Sequence, residues 1–337
     1  MTHMWALCPL SHKPYCQNPY QHMACNDRQE RIQYRIYMMT IRLLQSMMHT
    51  HHAFIKTELK RLARVCRVFN PFGTLVLFFP GLWGYLSLPH RPPIVFVVLI
   101  FAVAFWTRSI GCFINDYTDR HIDGHITRTR NRPLVITPPS MTMWAVMVAF
   151  GAIPFLFVYV FYSTALVTLA TMGALGMIIY PWCKRWTFYP QVFLALSFNL
   201  IVFFTPVFLR VPLTPMTWVM YGWSVLWTIF YDTIYAFQDV ADDRAHGVKS
   251  TAVLWHAPKA RRVLNALFGI RYALTAWIAP TVMAWCVLGV IGAYHWSVWQ
   301  KTNLSDPASC AHYLSTTPTE GLCIAVWMAL FFKTLAI

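Results

Sequence analysis

The 337 residues are 57% hydrophobic and only 12% charged, about half the charged share of an ordinary soluble domain. Residues 133–183 exclude a soluble fold, because they hold no Asp, Glu, Lys or Arg and are long enough for two membrane spans at about 20 residues each. The net charge of +15 is not a nucleic-acid footprint, since the basic residues form no single patch and lie in short loops between apolar runs, as the positive-inside rule expects.

Residues 1–58 are polar, irregular and rich in His and Met. No apolar run follows a basic start, so no cleavable signal peptide is expected there. From Gln29 to Met48 the chain is basic and partly apolar, with Arg31, Arg35 and Arg42 close to one helical face. This suits an N-terminal extension over 1–58 that is disordered or interfacial, followed by a transmembrane domain over 59–337. A mitochondrial targeting element is the sharper alternative, disfavoured by low Ser content and the lack of Arg among the first residues.

Nine apolar segments follow, near 73–88, 94–114, 141–162, 164–181, 191–209, 215–237, 262–279, 281–299 and 319–336. The expected fold is therefore an all-α multi-pass membrane protein. Pro71, Pro89, Pro133, Pro181, Pro190 and Pro215 punctuate the segment ends, where a missing N–H costs least. Arg271 is the exception to apolarity, inside the seventh segment. The loops after segments two, four and six carry Arg120, Arg128, Arg130, Arg132, Lys184, Arg185, Arg244, Lys249, Lys259, Arg261 and Arg262, whereas the opposite loops carry Arg91, Arg210 and Lys301. The first set faces the cytosol or an equivalent compartment. The nine cysteines form no CxxC and no paired spacing, so free thiols are expected rather than disulfides or a zinc site.

The acids carry the functional signal. Of twelve Asp and Glu, seven fall in two stretches at basic-side segment ends: Asp116, Asp119 and Asp123, then Asp232, Asp239, Asp242 and Asp243. Carboxylates in or beside a bilayer are expensive and mark function by default. Asn115, Asp119 and Asp123 share a helical stripe at i, i+4 and i+8, and Asp239 and Asp243 repeat the i, i+4 spacing with Asp232 two turns earlier. Two facing acidic stripes repel unless cations fill the gap, and Mg²⁺ suits carboxylate, water and phosphate oxygens. Asp116 and Asp242 point off the stripes, where ion pairs with the loop Arg and Lys serve as well; the striped acids are expected to be free of such pairs.

Cations stand beside the acids, as a polyanionic diphosphate requires. Tyr180 and Lys184 are i, i+4, Lys249 follows the second stripe, and Arg128, Arg130 and Arg132 follow the first. Arg67 precedes the first segment. Arg108, seven residues before Asn115, points the same way from inside the second segment, as an ion-pair partner of an acidic stripe, a catalytic group or both.

At these residues the chain resembles the UbiA superfamily. NDYTDRHIDGHITRTRNRPL (115–134) matches its NDxxDxxxD box and Arg-rich tail, and YDTIYAFQDVADDRAHGVKSTA (231–252) matches the DxxxD box in the form seen in 4-hydroxybenzoate polyprenyltransferases. YPWCKR (180–185) resembles the YxxxK element, and RVFNPFGTLVLFFPGLW (67–83) the opening helix, with Asn70 where that subgroup often has Lys. DPASC (306–310) is similar to fungal members that prenylate polyketide-derived aromatic acids.

The resemblance implies a helical bundle around a central cavity open to the basic side. It implies Mg²⁺ held by Asn115, Asp119, Asp123, Asp239 and Asp243, with Asp119, Asp123, Asp239 and Asp243 catalytic. Arg67, Arg128, Tyr180, Lys184 and Lys249 would grip the diphosphate. Asp232, Arg108 and Asp116 are candidates for contacting the acceptor or supporting the metal ligands. The expected partners are an isoprenyl diphosphate, an aromatic acceptor and the lipid bilayer, with no nucleic acid. The expected activity is Mg²⁺-dependent prenylation of a phenolic or polyketide-derived acceptor in meroterpenoid biosynthesis, in the endoplasmic reticulum or another endomembrane. The alternatives are the 4-hydroxybenzoate polyprenyltransferase of ubiquinone biosynthesis, in the mitochondrial inner membrane, and a terpene cyclase of the same superfamily. A transporter fits less well, because the acids cluster at one membrane face and not at the midplane.

Overall fold

The computed structural model describes residues 19–332, and every regular element within them is helical. The chain divides into two units, Met1–Leu59 and Lys60–Ile337. In the first, the stretch expected to be disordered or interfacial is helical from Pro19 onward, as the start of α1 (Pro19–Val65); residues 1–18 of that expectation lie outside the described chain.

The second unit contains α2 (Phe72–Leu86), α3 (Val95–Thr118), α4 (Arg120–Asp123), α5 (Pro133–Ile136), α6 (Met141–Phe161), α7 (Thr164–Trp186), α8 (Pro190–Phe198), a 3₁₀ turn (Asn199–Phe203), α9 (Phe204–Phe208), α10 (Pro215–Phe237), α11 (Val240–Ala245), α12 (Thr251–Ile278), α13 (Val282–Lys301) and α14 (Pro307–Phe331). Each apolar segment read from the sequence coincides with helix among the described residues, the last as far as Phe331. Six helical stretches among the described residues are long and apolar enough to cross a membrane: α3, α6, α7, Pro190–Phe208, α13 and α14. α2 is apolar but shorter.

Local chemistry sets the helix starts. Ser140, Ser163, Thr214, Ser250, Thr281 and Asp306 each accept a backbone N–H of the helix they precede. Each cap satisfies a donor that hydrocarbon cannot. α12 is kinked at His256, whose φ of 53° is left-handed, two residues before Pro258. Without an N–H, Pro258 cannot continue the ladder of the preceding turn.

α10 is the central post, packed against α12, α8, α14 and α2. Around it Trp83, Trp223, Trp227, Trp299 and Trp327 are fully buried. A buried indole N–H needs an acceptor, and most find one: Trp83 donates to the Gly321 carbonyl (3.2 Å), Trp227 to Glu320 (3.0 Å), Trp299 to Asn265 (2.7 Å) and Trp327 to the Ala284 carbonyl (2.8 Å). Close backbone approach depends on glycine, as is common between membrane helices. A Cβ on Gly84 would stand 1.9 Å from the Val202 carbonyl oxygen, so α2 can meet the 3₁₀ turn only through glycine. α6, by contrast, is mostly exposed and apolar around its circumference, the pattern of a helix facing lipid. Cys66, Cys112, Cys183, Cys286, Cys310 and Cys323 are free thiols.

Arg271, the odd charge inside the seventh segment, is wholly buried and pairs with Glu320 of α14 at 3.1 Å. Its guanidinium lies over the rings of Phe230 (4.6 Å) and Phe268 (4.7 Å). Glu320 also accepts from Trp227 and from the Tyr272 hydroxyl at 3.0 Å. The Glu320 carboxylate thus has its countercharge and donors in place, as a buried ion pair needs, while Arg271 Nε has no hydrogen-bond partner.

Candidate functional site

The two acidic motifs share one local architecture. A long apolar helix breaks at an Asp, and a short helix restarts with a second Asp four residues on. α3 ends at Thr118, Asp119 stands at the break, and α4 carries Asp123; α10 ends at Phe237, Asp239 precedes α11, and α11 carries Asp243. The continuous stripes expected from spacing are therefore bent. The i, i+4 relation survives because Asp123 N donates to Asp119 O and Asp243 N to Asp239 O, both at 2.8 Å. Asp suits such junctions because it tolerates the non-helical backbone of a cap position.

Both motifs line one cavity of about 460 Å³. Asn115, Asp116, Asp119, Asp123, Asp232, Asp239 and Asp243 are on its wall with Arg67, Arg108, Arg128, Tyr180, Lys184 and Lys249. All thirteen candidate site residues thus face one space. Arg130, which follows the first motif, is exposed and absent from the cavity wall. Val76, Leu77, Met177, Leu194 and Phe198 give the cavity an apolar part, with Met177 two turns along α7 from Lys184.

Asp116, Asp119, Asp123 and Asp239 are held by cations. Lys184 donates to Asp119 (2.8 Å) and to the Asn115 amide oxygen (3.3 Å). Arg132 bridges Asp116 (2.9 Å) and Asp123 (2.6 Å), and Arg67 holds Asp116 through two contacts of 2.8 and 3.0 Å. Arg128 reaches from the first motif's loop to Asp239 of the second (2.9 Å to Oδ1) and to the Tyr235 hydroxyl (2.7 Å). This corrects the expectation that Asp119, Asp123 and Asp239 stay free of ion pairs. A carboxylate largely shielded from solvent takes whatever cation its neighbours offer. Asp116, doubly paired and almost fully buried, is a strut between Arg67 and Arg132. Arg67 adopts a left-handed φ of 55°, a cost that a non-glycine residue bears where its side chain is held.

Among the described residues, no group of three or more His, Cys, Asp or Glu is arranged to hold a metal ion; the cations above occupy carboxylate oxygens that a metal would use. The donor set nevertheless fits Mg²⁺. Asp119 Oδ1 is buried and has no hydrogen-bond partner, a bare hard oxygen of the kind that ion takes. Asn115, Asp123, Asp239 and Asp243 supply further oxygens on the same wall.

Burial pushes the Asp243 carboxyl up to about 7, and the neighbouring Asp239 charge adds to it. Burial also raises Asp123, partly countered by Arg132. At Arg128 burial works against the charge, but its bonds to Asp239 and Tyr235 outweigh that and the guanidinium is held protonated.

The remaining candidates differ in their surroundings. The Lys184 ammonium lies 5.4 Å from the Tyr180 ring centre. The Lys249 ammonium stands near the Trp186 carbonyl (3.5 Å) and over Phe188 (5.7 Å), not on an acid. Arg108 is packed against Gly73, where a Cβ would fall 2.2 Å from its Nε, and that Nε has no partner. Tyr235 was not singled out from the sequence, although it lies four residues before Asp239, the spacing already used for the acids. Gln191 and Asn199 also line the cavity; no spacing pattern marks them.

Comparison with known proteins agrees with this geometry. The UbiA prenyltransferase family model matches residues 77–334. The chain is 34% identical over 305 residues to a 4-hydroxybenzoate octaprenyltransferase of Ectopseudomonas mendocina, covering 87% of this chain and 98% of that one. It is 36% identical over 217 residues to the enzyme of that name from Marinobacter nauticus, covering 63% and 72%. A UbiA homologue from Archaeoglobus fulgidus, solved bound to DMAPP and Mg²⁺, shares the fold with a TM-score of 0.59 at 17% identity, covering 82% of this chain and all of that one. An acid-lined cavity inside an apolar helical bundle, matched by a family model along most of the sequence, leads to one conclusion: this chain belongs to the UbiA prenyltransferase family and is a multi-pass membrane prenyltransferase.

Proposed function

We propose that the chain transfers a polyprenyl group from its diphosphate to a ring carbon of 4-hydroxybenzoate, as in ubiquinone biosynthesis, with Mg²⁺ as cofactor. The observation that carries the reading is the cavity, where two acid-bearing helix ends are joined through Arg128 and flanked by Lys184, Lys249 and Arg67. The relatives matched over most of their length are named for that transfer, and the Archaeoglobus neighbour holds an allylic diphosphate with Mg²⁺.

The meroterpenoid reading gives way. The relatives favour the 4-hydroxybenzoate transfer, and the DPASC stretch that suggested the other reading serves as a helix cap, with Asp306 accepting from Ala308 N (3.0 Å) and Ser309 N (3.1 Å). The preference for an endomembrane rested on that reading and passes to the mitochondrial inner membrane.

In the proposed mechanism Asn115, Asp119, Asp123, Asp239 and Asp243 would hold Mg²⁺, which when bound would supply the charge neutralisation that lets the diphosphate leave. Lys184 and Arg128 exchange their carboxylate partners for phosphate oxygens, which form equally good charge-assisted bonds. Lys249, with no acid to release, adds a third cation, and Arg67 a fourth. As the C1–O bond breaks, the faces of Tyr180, Tyr231 and Phe198 along the wall stabilise the allylic cation. The ring carbon attacks C1 as diphosphate departs, and Asp232, two turns before Asp239 on α10, is the carboxylate that assists the acceptor by taking up the ring proton.

The test pairs membranes containing the chain with 4-hydroxybenzoate and isoprenyl diphosphates of increasing length, with and without Mg²⁺, and reads products by mass. The expected product is Mg²⁺-dependent and heavier than the acceptor by the prenyl unit. Transfer only to orsellinate-like acids would restore the meroterpenoid reading; free terpenoid formed without acceptor would indicate a cyclase.

A further inference from the structure

Two exposed histidines, which the mechanism above does not use, meet over the loops that follow the acidic motifs. His125 lies just after α4 and His246 just after α11, and their ring centres are 5.2 Å apart with planes inclined at 35°. Each ring is oriented by its own loop. His125 Nδ1 lies 2.9 Å from the His121 carbonyl oxygen, and His246 Nδ1 lies 2.9 Å from the Asp242 carbonyl oxygen. A carbonyl can only accept, so both Nδ1 atoms carry the hydrogen, and it is Nε2 of each ring that offers a lone pair when the ring is neutral. One ring nitrogen tied to a backbone carbonyl and the other left basic is the arrangement that orients metal-binding histidines.

The separation fits as well. Two imidazole nitrogens about 2.0–2.1 Å from one tetrahedral ion place their ring centres roughly 5 Å apart. Imidazole nitrogen also favours a borderline ion over Mg²⁺, which takes oxygen. The loops already touch at this point, where Thr127 N donates to Asp242 at 2.9 Å.

We propose that His125 and His246 form a second metal site, for Zn²⁺ or another borderline divalent ion, that ties the loop of the first acidic motif to the loop of the second. Water completes the coordination. A bound ion adds a cross-link beside the Thr127–Asp242 contact and holds the two motif loops together at the cavity. The site is separate from the Asp ligands and does not depend on the identity of the prenyl acceptor.

The test uses the full chain purified in detergent with excess Mg²⁺, and measures Zn²⁺ affinity by competition with a colorimetric chelator. One Zn²⁺ per chain is expected. His125→Ala or His246→Ala alone should lower affinity at least about 10–100-fold, the loss seen when a group that merely orients a ligand is removed. The double variant should lose no more than either single variant, because one ligand cannot bridge. Asp119→Ala should keep the zinc. Mg²⁺-dependent turnover in the absence of zinc should survive both His substitutions, and zinc should slow turnover of the unmodified chain but not of the double variant. Absence of zinc binding, binding that persists in the double variant, or independent losses in the two single variants would overturn the proposal. Because binding is read without substrate, failure of the prenyl-transfer reading leaves this result interpretable.

Discussion

Two regions of the molecule bury charge, and they do so differently. Around Arg271 and Glu320 the pair is closed: both side chains are at most 1% exposed, aromatic rings lie over the guanidinium, and Trp227 and Tyr272 donate to the carboxylate. Around Asp119 and Asp239 the pairs line an open cavity and leave Asp119 Oδ1 bare. The first arrangement has nothing to exchange, so it serves the fold. The second holds Asp119 and Asp239 by cations that, in the proposed mechanism, pass to a phosphate, so we assign it to chemistry. A charge within a membrane protein is therefore read by what surrounds its partner and not by its depth alone.

The comparison breaks most sharply at the cavity. Asp119→Ala or Asp239→Ala should lower Mg²⁺-dependent turnover by at least about 10²–10³-fold, the scale on which a single group stabilising transition-state charge acts. The detergent-solubilised protein should still unfold at nearly the unmodified temperature. Turnover within a few-fold of the unmodified chain would remove these residues from the metal site.

The closed pair should show the opposite profile. Glu320→Ala leaves Arg271 buried without a countercharge, which costs about 3–5 kcal/mol. Replacing both residues with apolar ones, Arg271→Met with Glu320→Leu, should cost less than the single change, because no charge is left stranded. Denaturant unfolding in micelles measures both, and turnover per folded molecule should be unchanged in each. Equal destabilisation by the single and double variants would show that the pair contributes packing and not charge balance.

What was legible in the sequence follows from the same physics. The apolar segments were readable because hydrocarbon permits only structures that satisfy their own backbone. The Asp motifs were readable because acids are scarce there. Four features were hidden. The helix breaks at Asp119 and Asp239 preserve the i, i+4 relation, so spacing cannot distinguish a bent stripe from a straight one. α14 begins at Pro307, not near 319, because its first turns carry Ser, His and Thr, which hydropathy reads as loop although Cys310, Tyr313 and Thr317 are buried. Arg271 looked anomalous because its partner is 49 residues away, and Tyr235 was overlooked because a Tyr is ordinary in an aromatic-rich helix until Arg128 reaches it.

The smallest expected effect concerns protons and separates the metal-bound from the metal-free cavity. Asp243, raised to about 7 by burial and by Asp239, keeps its proton in the folded chain at pH values where the unfolded chain has lost it. That contribution to stability is fully present below the ordinary Asp range and is lost as pH rises through about 7. The metal-free protein should therefore melt at a lower temperature at pH 8 than at pH 6. Mg²⁺ requires the ionised carboxylate, so its apparent affinity should rise with pH, by up to about tenfold per unit below 7 for one displaced proton. Added Mg²⁺ should thus raise the melting temperature more at pH 8 than at pH 6, and Asp243→Asn should flatten both trends. If the trends persist in Asp243→Asn, another group governs them. If Mg²⁺ stabilises equally at both values, then Asp243 is not among its ligands, and the second motif contributes through Asp239 alone.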